Sequence, residues 1–193
     1  YTKIEPPICW EQIFGNIAPV EIEIGFGKCG FLLAIAAQHP TMNFVGIESS
    51  RKYYRKGITK IQRADLKNIR LLWGEAFHIF KRYVPDHSIA TIYINFPDPW
   101  PKRRHAKRRL LKAEVVELLA QKLTPSGGIE IATDVEPYMN QIQEVFQINN
   151  MYEMVCYQTR NHHGKMRPYC SDYEMMFLKK GKTIHYVKYK THS

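Results

Sequence analysis

Short runs of apolar residues alternate with longer amphipathic stretches along this chain. Seven of the runs predict β-strands, at positions 20–24, 43–48, 69–73, 89–95, 129–133, 152–157 and 183–189. Periodic apolar positions predict helices between them, at 31–38, 51–63, 111–123 and 135–146. The Thr-Pro-Ser-Gly-Gly segment at 124–128 is predicted to be the turn that closes the third of these helices. The alternation predicts an α/β fold with a doubly wound, mostly parallel sheet and helices on both faces.

The last predicted helix begins at a capping box. Ser171 and Glu174 have the spacing at which a hydroxyl and a carboxylate satisfy each other's backbone donors. The helix is predicted to run to Lys180 and to end at Gly181.

The length of 193 residues favours one domain with one sizeable core. We expect an N-terminal arm over residues 1–7 and a single domain over residues 8–193. The longest apolar run is too short to cross a bilayer, so no membrane partner is expected. Four cysteines without a C-x-x-C pair favour reduced thiols and a cytoplasmic location.

The charge is strongly unbalanced. The chain has 28 Lys and Arg against 18 Asp and Glu, a net charge of +10. Such an excess favours a polyanionic partner, because cationic side chains release counterions from nucleic-acid phosphates. The alternative is a basic surface that serves only solubility.

A glycine-rich segment follows the first predicted strand and begins the next helix. Gly25 and Gly27 allow a close approach of the backbone to a cofactor. Glu48 ends the second strand, where an acid accepts hydrogen bonds from ribose hydroxyls. These features fit NAD or S-adenosylmethionine. Glu23 and Glu75, which provide negative charge for a cationic donor and an acceptor for an adenine amino group, favour S-adenosylmethionine.

The most specific segment is Asn-Phe-Pro-Asp-Pro-Trp-Pro at 95–101, which ends the fourth strand. Prolines fix the backbone on both sides of Asp98, at the edge of the sheet that faces the cofactor. The aromatic residues Phe96 and Trp100 could stack on a base or pack in the core. The run Lys-Arg-Arg-His-Ala-Lys-Arg-Arg follows at 102–109, and we expect it to hold RNA phosphates beside the methyl donor.

One further cluster in the sequence contains His and Cys, which are the residue types that bind zinc. His162 and His163 lie between Cys156 and Cys170, but their spacing matches no standard zinc site. No metal is therefore predicted.

Five segments together resemble the bacterial tRNA (guanine-N7)-methyltransferases, in order from about Cys9 to Tyr189. They are Glu-Ile-Gly-Phe-Gly-Lys at 23–28, Gly-Ile-Glu at 46–48, Asn-Phe-Pro-Asp-Pro-Trp-Pro-Lys-Arg-Arg-His at 95–105, Thr-Asp at 133–134 and Ser-Asp-Tyr-Glu at 171–174. Two positions depart from the family pattern. Cys29 stands where a third glycine is usual, and Ser171 replaces a threonine.

The resemblance implies a Rossmann-like, seven-stranded sheet whose last strand is antiparallel. It implies methyl transfer from S-adenosylmethionine to N7 of a guanosine in the tRNA variable loop, with S-adenosylhomocysteine as product. Asp98 is then the catalytic residue. The cofactor-binding residues implied are Glu23, Gly25, Gly27, Glu48, Glu75, Ala76, Asn95 and Asp98. The resemblance also assigns Lys102, Asp134, Ser171 and Glu174 to substrate binding. We expect Tyr173 and the basic-run residues Arg103, Arg104 and Arg108 to bind substrate as well.

Three alternatives remain at this point. One is an NAD(P)-dependent oxidoreductase on a Rossmann fold, and another is a non-catalytic RNA-binding protein. The third is a methyltransferase for another RNA or another base atom. The expected assembly is a monomer or a homodimer.

Overall fold

The computed structural model describes residues 5–161 and 169–192, which form one seven-stranded sheet with helices around it. The strands are β1 (Val20–Ile24), β2 (Asn43–Glu48), β3 (Ile69–Trp73), β4 (Ile89–Asn95), β5 (Leu123–Thr133), β6 (Tyr152–Arg160) and β7 (Ile184–Thr191). The α-helices are α1 (Trp10–Phe14), α2 (Gly30–Gln38), α3 (Arg51–Ala64), α4 (Ala76–Arg82), α5 (Ala113–Lys122), α6 (Glu136–Ile148) and α7 (Asp172–Lys179). A 3-10 helix spans Arg103–Arg108.

The strand order is β3-β2-β1-β4-β5-β7-β6. β1 to β5 pair in parallel, and β7 runs antiparallel to β5 and to β6. The chain order reverses between β1 and β4, and ligands of doubly wound sheets bind at the carboxyl ends of strands at such a reversal. The predicted fold class is confirmed, including the antiparallel last strand.

The sheet is buried because its central strands are apolar on both faces. Ile22 and Ile92 are fully buried in one hydrophobic cluster with residues of α5 and α6. Phe31 and Phe44 belong to a second cluster, formed by α2 and the strands beside it. Burial of this apolar surface is the main driving force for folding.

The first four strands have the predicted bounds, but the segment after α5 does not. The predicted turn at 124–128 belongs to β5, which begins at Leu123. Leu123 pairs with Ile89 before the register shifts, and Ser126 adopts a positive φ of 60°. Turn-forming residues here make a kink within a strand, which their composition does not distinguish from a loop.

Three short elements were not predicted. They are α1, α4 and the 3-10 helix, with five, seven and six residues. Such lengths are at most two turns, too few for a 3.6-residue period to appear in the sequence. No helix in the described part of the chain is long and apolar enough to cross a membrane.

Phe26 fixes the glycine-rich turn to the sheet. Its ring is 4% exposed and fills a space left by two glycines, Gly46 in β2 and Gly57 in α3. A Cβ at Gly46 would lie 2.7 Å from atoms of Phe26, Leu32 and Leu71, and one at Gly57 would lie 2.7 Å from Phe26. Because Gly46 and Gly57 have no side chains, the Phe26 ring can occupy this space, and its position fixes the glycine-rich turn.

We expect Gly46→Ala to lower the free energy of unfolding by about 1–3 kcal/mol, because three packed side chains would have to move. Urea denaturation measures this change. Gly128→Ala is the matched strand control, since a Cβ there meets its nearest atom at 3.4 Å. Equal stability of the two variants would contradict the packing of Phe26 described here.

Candidate functional site

A cavity of about 700 Å³ opens at the carboxyl ends of the central strands. It lies at the reversal of strand order, next to the ends of β1, β2 and β4. Ten predicted site residues line it: Gly25, Gly27, Glu48, Glu75, Ala76, Asn95, Asp98, Arg108, Asp134 and Tyr173. The sheet thus brings together segments that are more than a hundred residues apart in the sequence.

Glu48 holds the glycine turn against the end of β2. One carboxylate oxygen accepts a hydrogen bond from the backbone N–H of Gly27 at 2.9 Å, and the other accepts from Ser50 N at 2.8 Å. The residue is 8% exposed and lines the cavity. Each carboxylate oxygen has a further lone pair, so the group can also accept from a ligand hydroxyl.

Cys29 occupies the third position of the glycine turn in a left-handed conformation, with φ of 66°. Its side chain is fully buried in the cluster that contains Phe31. Burial, followed by the negative charge of Glu23, raises the pKa of the Cys29 thiol to about 12. A non-glycine residue therefore takes the backbone shape that the turn requires, at a conformational cost of about 1–2 kcal/mol.

Glu23 is buried at 2% exposure and does not line the cavity. Its Oε1 accepts a hydrogen bond from the side-chain amide of Asn95 at 3.0 Å. Asn95 does line the cavity, at the end of β4. Glu23 therefore holds the side chain of Asn95 in position from the protein interior.

Glu75 and Ala76 lie where β3 passes into α4. Glu75 is exposed at the N-terminus of that helix, and its side chain makes no capping hydrogen bond. The carboxylate is thus available to the cavity that it lines.

The loop that carries Asp98 has an unusual backbone. Phe96 and Trp100, on either side of Asp98, have positive φ of 53° and 40°. Such conformations cost free energy and are concentrated at functional sites. Both rings line the cavity, and Phe96 also packs on Phe177 with ring centroids 5.4 Å apart.

Arg109 holds this loop in place. Its guanidinium donates to the carbonyl oxygens of Pro99 at 2.7 Å and of Trp100 at 3.1 Å. The same guanidinium lies over the ring of Tyr138, 5.3 Å from its centroid. Arg109 was expected among the phosphate-binding cations of the run at 102–109, whereas the fold turns it inward onto the loop.

Among the remaining cations whose side chains the structure describes, Lys102, Arg104, Lys107 and Arg108 are exposed. Arg108 lines the cavity, and its guanidinium lies 5.0 Å from the ring centroid of Trp100. Lys102 and Arg104 are exposed outside the cavity lining. The side chain of Arg103 lies outside the described part of the structure.

The predicted Ser-Asp-Tyr-Glu motif at 171–174 has two members in the protein interior and one at the cavity. Ser171 Oγ accepts from Glu174 N at 3.0 Å, which is the hydroxyl half of the predicted capping box. Glu174 is fully buried, and its carboxylate accepts from the hydroxyl of Tyr186 at 2.7 Å. Tyr173 is the member of the motif that lines the cavity. Ser171 and Glu174 therefore fix the helix that presents Tyr173.

The same helix packs directly on the glycine turn. A Cβ at Gly27 would lie 3.5 Å from the Tyr173 ring, and one at Gly30 would lie 2.7 Å from the Asp172 carboxylate. The segment expected to bind substrate thus contacts the segment expected to bind cofactor.

Lys182 and Tyr53 are among the cavity residues that were not predicted from the sequence. Lys182 forms an ion pair with Asp134, and its ammonium lies 4.5 Å from the ring centroid of Phe177. Tyr53, on α3, lines the cavity with Tyr173. The interaction with the Tyr53 hydroxyl raises the pKa of Tyr173 to about 12, with burial as a smaller cause. Neither residue belongs to a motif, and only the tertiary fold brings them to the site.

No group of three or more His, Cys, Asp or Glu side chains within residues 5–161 and 169–192 is arranged to hold a metal ion. His162 and His163 lie outside the described residues.

Several solved structures that share this fold are methyltransferases. The chain is similar to the 16S rRNA methyltransferase KamB, with a TM-score of 0.68 and 12% identity over 95% of this chain and 93% of that one. It is also similar to a 30S ribosomal A1408 methyltransferase from an uncultured bacterium, with a TM-score of 0.62 and 15% identity over 97% and 98% of the two chains. The fold is that of the Rossmann-like methyltransferases.

Sequence relatives define the family more narrowly. A family model described as "Putative methyltransferase" matches residues 17–187. The tRNA (guanine-N(7)-)-methyltransferase of Geobacter metallireducens is 32% identical over 97% of this chain and 89% of its own length. Those of Thermotoga maritima and Aliivibrio salmonicida are each 38% identical, over 76% and 79% of this chain. The chain belongs to the tRNA (guanine-N7)-methyltransferase family, which confirms the resemblance seen in the sequence.

The chain spans 47% of the length of the Thermotoga relative and 64% of the Aliivibrio relative. The matched region is therefore only a part of each of these two relatives.

We expect Tyr53→Phe to lower the pKa of Tyr173 from about 12 towards the ordinary tyrosine value, because the hydrogen bond with Tyr53 is the largest cause of the shift. NMR titration of protein labelled at tyrosine Cζ measures the pKa, and Tyr173→Phe identifies the resonance. Tyr157→Phe, on the far edge strand, is the control. An unchanged pKa of Tyr173 in the Tyr53→Phe variant would contradict the interaction between the two hydroxyls.

Proposed function

We propose that this chain transfers a methyl group from S-adenosylmethionine to N7 of a guanosine in the variable loop of tRNA. One observation carries the proposal: a single cavity joins the glycine turn, the acid Glu48 and the proline-flanked Asp98. Family membership supports the same reaction, since a relative that matches most of this chain is a tRNA (guanine-N(7)-)-methyltransferase.

The cavity fits S-adenosylmethionine. Its volume of about 700 Å³ lies within the range of about 300–1,000 Å³ that is usual for small-ligand pockets. Glu48 would accept from the ribose hydroxyls, and Glu75 would accept from the adenine amino group. When bound, this cofactor supplies an electrophilic methyl group on a sulfonium.

Asp98 would act by position and charge. Guanine N7 has an in-plane lone pair and no proton to lose, so methyl transfer to it requires no general base. The Asp98 carboxylate would accept from guanine N1–H or the exocyclic amino group and would offset the positive charge that develops on the purine. The strained backbone on both sides and the clamp from Arg109 would keep the carboxylate in place.

The aromatic rings at the cavity would hold the base. Phe96, Trp100 and Tyr173 all line it, and stacking on aromatic side chains is how proteins hold unpaired bases. Arg108 lines the same cavity, so a phosphate bound there would be next to the reacting base.

Membership of a methyltransferase family removes the NAD(P)-dependent oxidoreductase from consideration. Two competitors remain: a non-catalytic RNA-binding protein on the same scaffold, and a methyltransferase for another RNA or another base atom. The first differs from our proposal in turnover, and the second differs in the identity of the methylated nucleoside.

We expect unmodified tRNA incubated with this protein and labelled S-adenosylmethionine to acquire 7-methylguanosine, detected by nucleoside analysis. Asp98→Ala should lower the single-turnover rate by on the order of 100-fold or more, because a group that stabilises the transition state is removed. Its affinity for S-adenosylhomocysteine, measured by titration calorimetry, should fall much less.

The control for Asp98→Ala is Glu117→Ala, which removes an exposed carboxylate of α5 outside the cavity. Near-normal methylation by Asp98→Ala would refute its catalytic role. Binding of tRNA without any methylated nucleoside would favour the non-catalytic alternative.

Neutralising Arg103, Arg104 and Arg108 with Gln should weaken tRNA binding and reduce the slope of log K against log salt. The reduction should be up to about 0.9 for each phosphate that these side chains neutralise, because fewer counterions are released. Filter binding at several salt concentrations measures the slope. Cofactor affinity should stay unchanged, and an unaltered slope would count against phosphate binding by this run.

A further inference from the structure

α3 carries an unusual concentration of positive charge. Six of its 14 residues are Lys or Arg, and none is Asp or Glu. At about 100° per residue the six occupy one half of the helix circumference, and Tyr54, Gly57 and Ile61 pack the other half against the sheet. All six are exposed, and we call them the basic face of α3: Arg51, Lys52, Arg55, Lys56, Lys60 and Arg63.

This arrangement works against the helix itself. Arg51 and Arg55, Lys52 and Lys56, and Lys56 and Lys60 are like charges four residues apart, and each such pair destabilises a helix by about 0.2–0.5 kcal/mol. Arg51 and Lys52 also lie in the first turn, where the helix dipole disfavours cations. Such a face gains free energy from a polyanion that lies along it.

The basic face adjoins the cavity. Tyr53, on the same helix, lines the cavity, and so does Ser50, which precedes the helix. Lys60 donates to the carbonyl oxygen of Lys28 in the glycine turn at 2.7 Å. The ammonium of Lys28 lies 5.6 Å from the ring centroid of Tyr173. Positive charge thus continues from α3 to the rim of the cavity.

An exposed tryptophan extends this surface. Trp73 is 54% exposed at the end of β3, and the guanidinium of Arg51 lies 5.9 Å from its ring centroid. Exposed aromatic rings among cations are typical of surfaces that bind nucleic acid, because the rings can stack on bases.

The basic run at 102–109 lies elsewhere on the rim. Arg108 lines the cavity from that run, whereas Tyr53 lines it from α3. A nucleic acid centred on the cavity could therefore meet cations from both segments.

We propose that the basic face of α3 is a second phosphate-binding surface, which holds a part of the RNA substrate outside the target nucleotide. The inference rests on the proposed function for the identity of the RNA. At 14 residues the helix is about 21 Å long, which is long enough to contact several consecutive phosphates of one strand.

The test is the triple variant Lys52→Gln, Arg55→Gln, Lys56→Gln. Its tRNA affinity at 0.1 M salt should fall about tenfold or more, and its salt slope should fall by up to about 0.9 for each phosphate that is no longer neutralised. A short oligonucleotide that contains only the target loop should bind both proteins equally. Affinity for S-adenosylhomocysteine should be unchanged, and the thermal midpoint should be equal or higher because repulsion within α3 is removed.

The matched control is Lys81→Gln, Arg82→Gln, Lys190→Gln, which removes the same charge from exposed positions. Arg82 ends α4, which begins at the cavity and runs away from it, and Lys190 pairs with Gly128 near the start of the parallel strands. The control should bind tRNA within about twofold of the parent protein, since long-range charge is screened beyond about 10 Å.

Equal weakening of tRNA binding in both triple variants, or unchanged binding in the α3 variant, would overturn this inference. A parent protein that forms 7-methylguanosine while the α3 variant binds tRNA normally would leave the proposed function standing. Absence of 7-methylguanosine with the parent protein would refute the proposed function instead.

Discussion

The two hydrogen bonds that the Glu48 carboxylate accepts from backbone amides determine the geometry of the whole site. They join the glycine turn after β1 to the segment that begins α3, so that the two loops are tied to one carboxylate. Both bonds are charge-assisted, which makes them strong, and the bond from Gly27 is buried. Phe26 strengthens the same connection from below by filling the space between Gly46 and Gly57. The cavity therefore has a rigid wall where a ribose would bind.

The opposite wall is held under strain. Phe96 and Trp100 adopt positive φ, and the side chain of Arg109 compensates by binding the carbonyl oxygens of Pro99 and Trp100. Asp98 is exposed between them. A carboxylate in a strained and clamped loop can be positioned without an entropic cost at the moment of reaction, which suits a transfer that depends on alignment rather than on proton removal.

Helix α7 contacts both walls of the cavity, through Phe177 on Phe96 and through Tyr173 on Gly27. Buried Glu174 ties the helix to β7 through Tyr186, and Tyr173 reaches from it to the glycine turn and to Tyr53. The segments that we propose to bind cofactor and substrate consequently share contacts, so occupation of one site would affect the other. The positive charges of α3 and of the run at 102–109 surround this arrangement and favour a large polyanion over a small substrate.

The sequence by itself determined the sheet, the family and most of the cavity lining. Apolar runs mark buried strands because residues in a strand that is covered on both faces have to be apolar. The bounds of β1 to β4 were predicted correctly for this reason. Glycine and proline motifs likewise predict the local backbone, because glycine permits positive φ and proline fixes φ wherever they occur. The tertiary structure alone decided the direction of each cation and the partners of each acid. Arg109 and Arg108 are neighbours with the same chemistry, yet one holds a loop and the other lines the cavity. Lys182 and Tyr53 reach the site only through contacts between distant segments, and such contacts leave no local pattern in the chain.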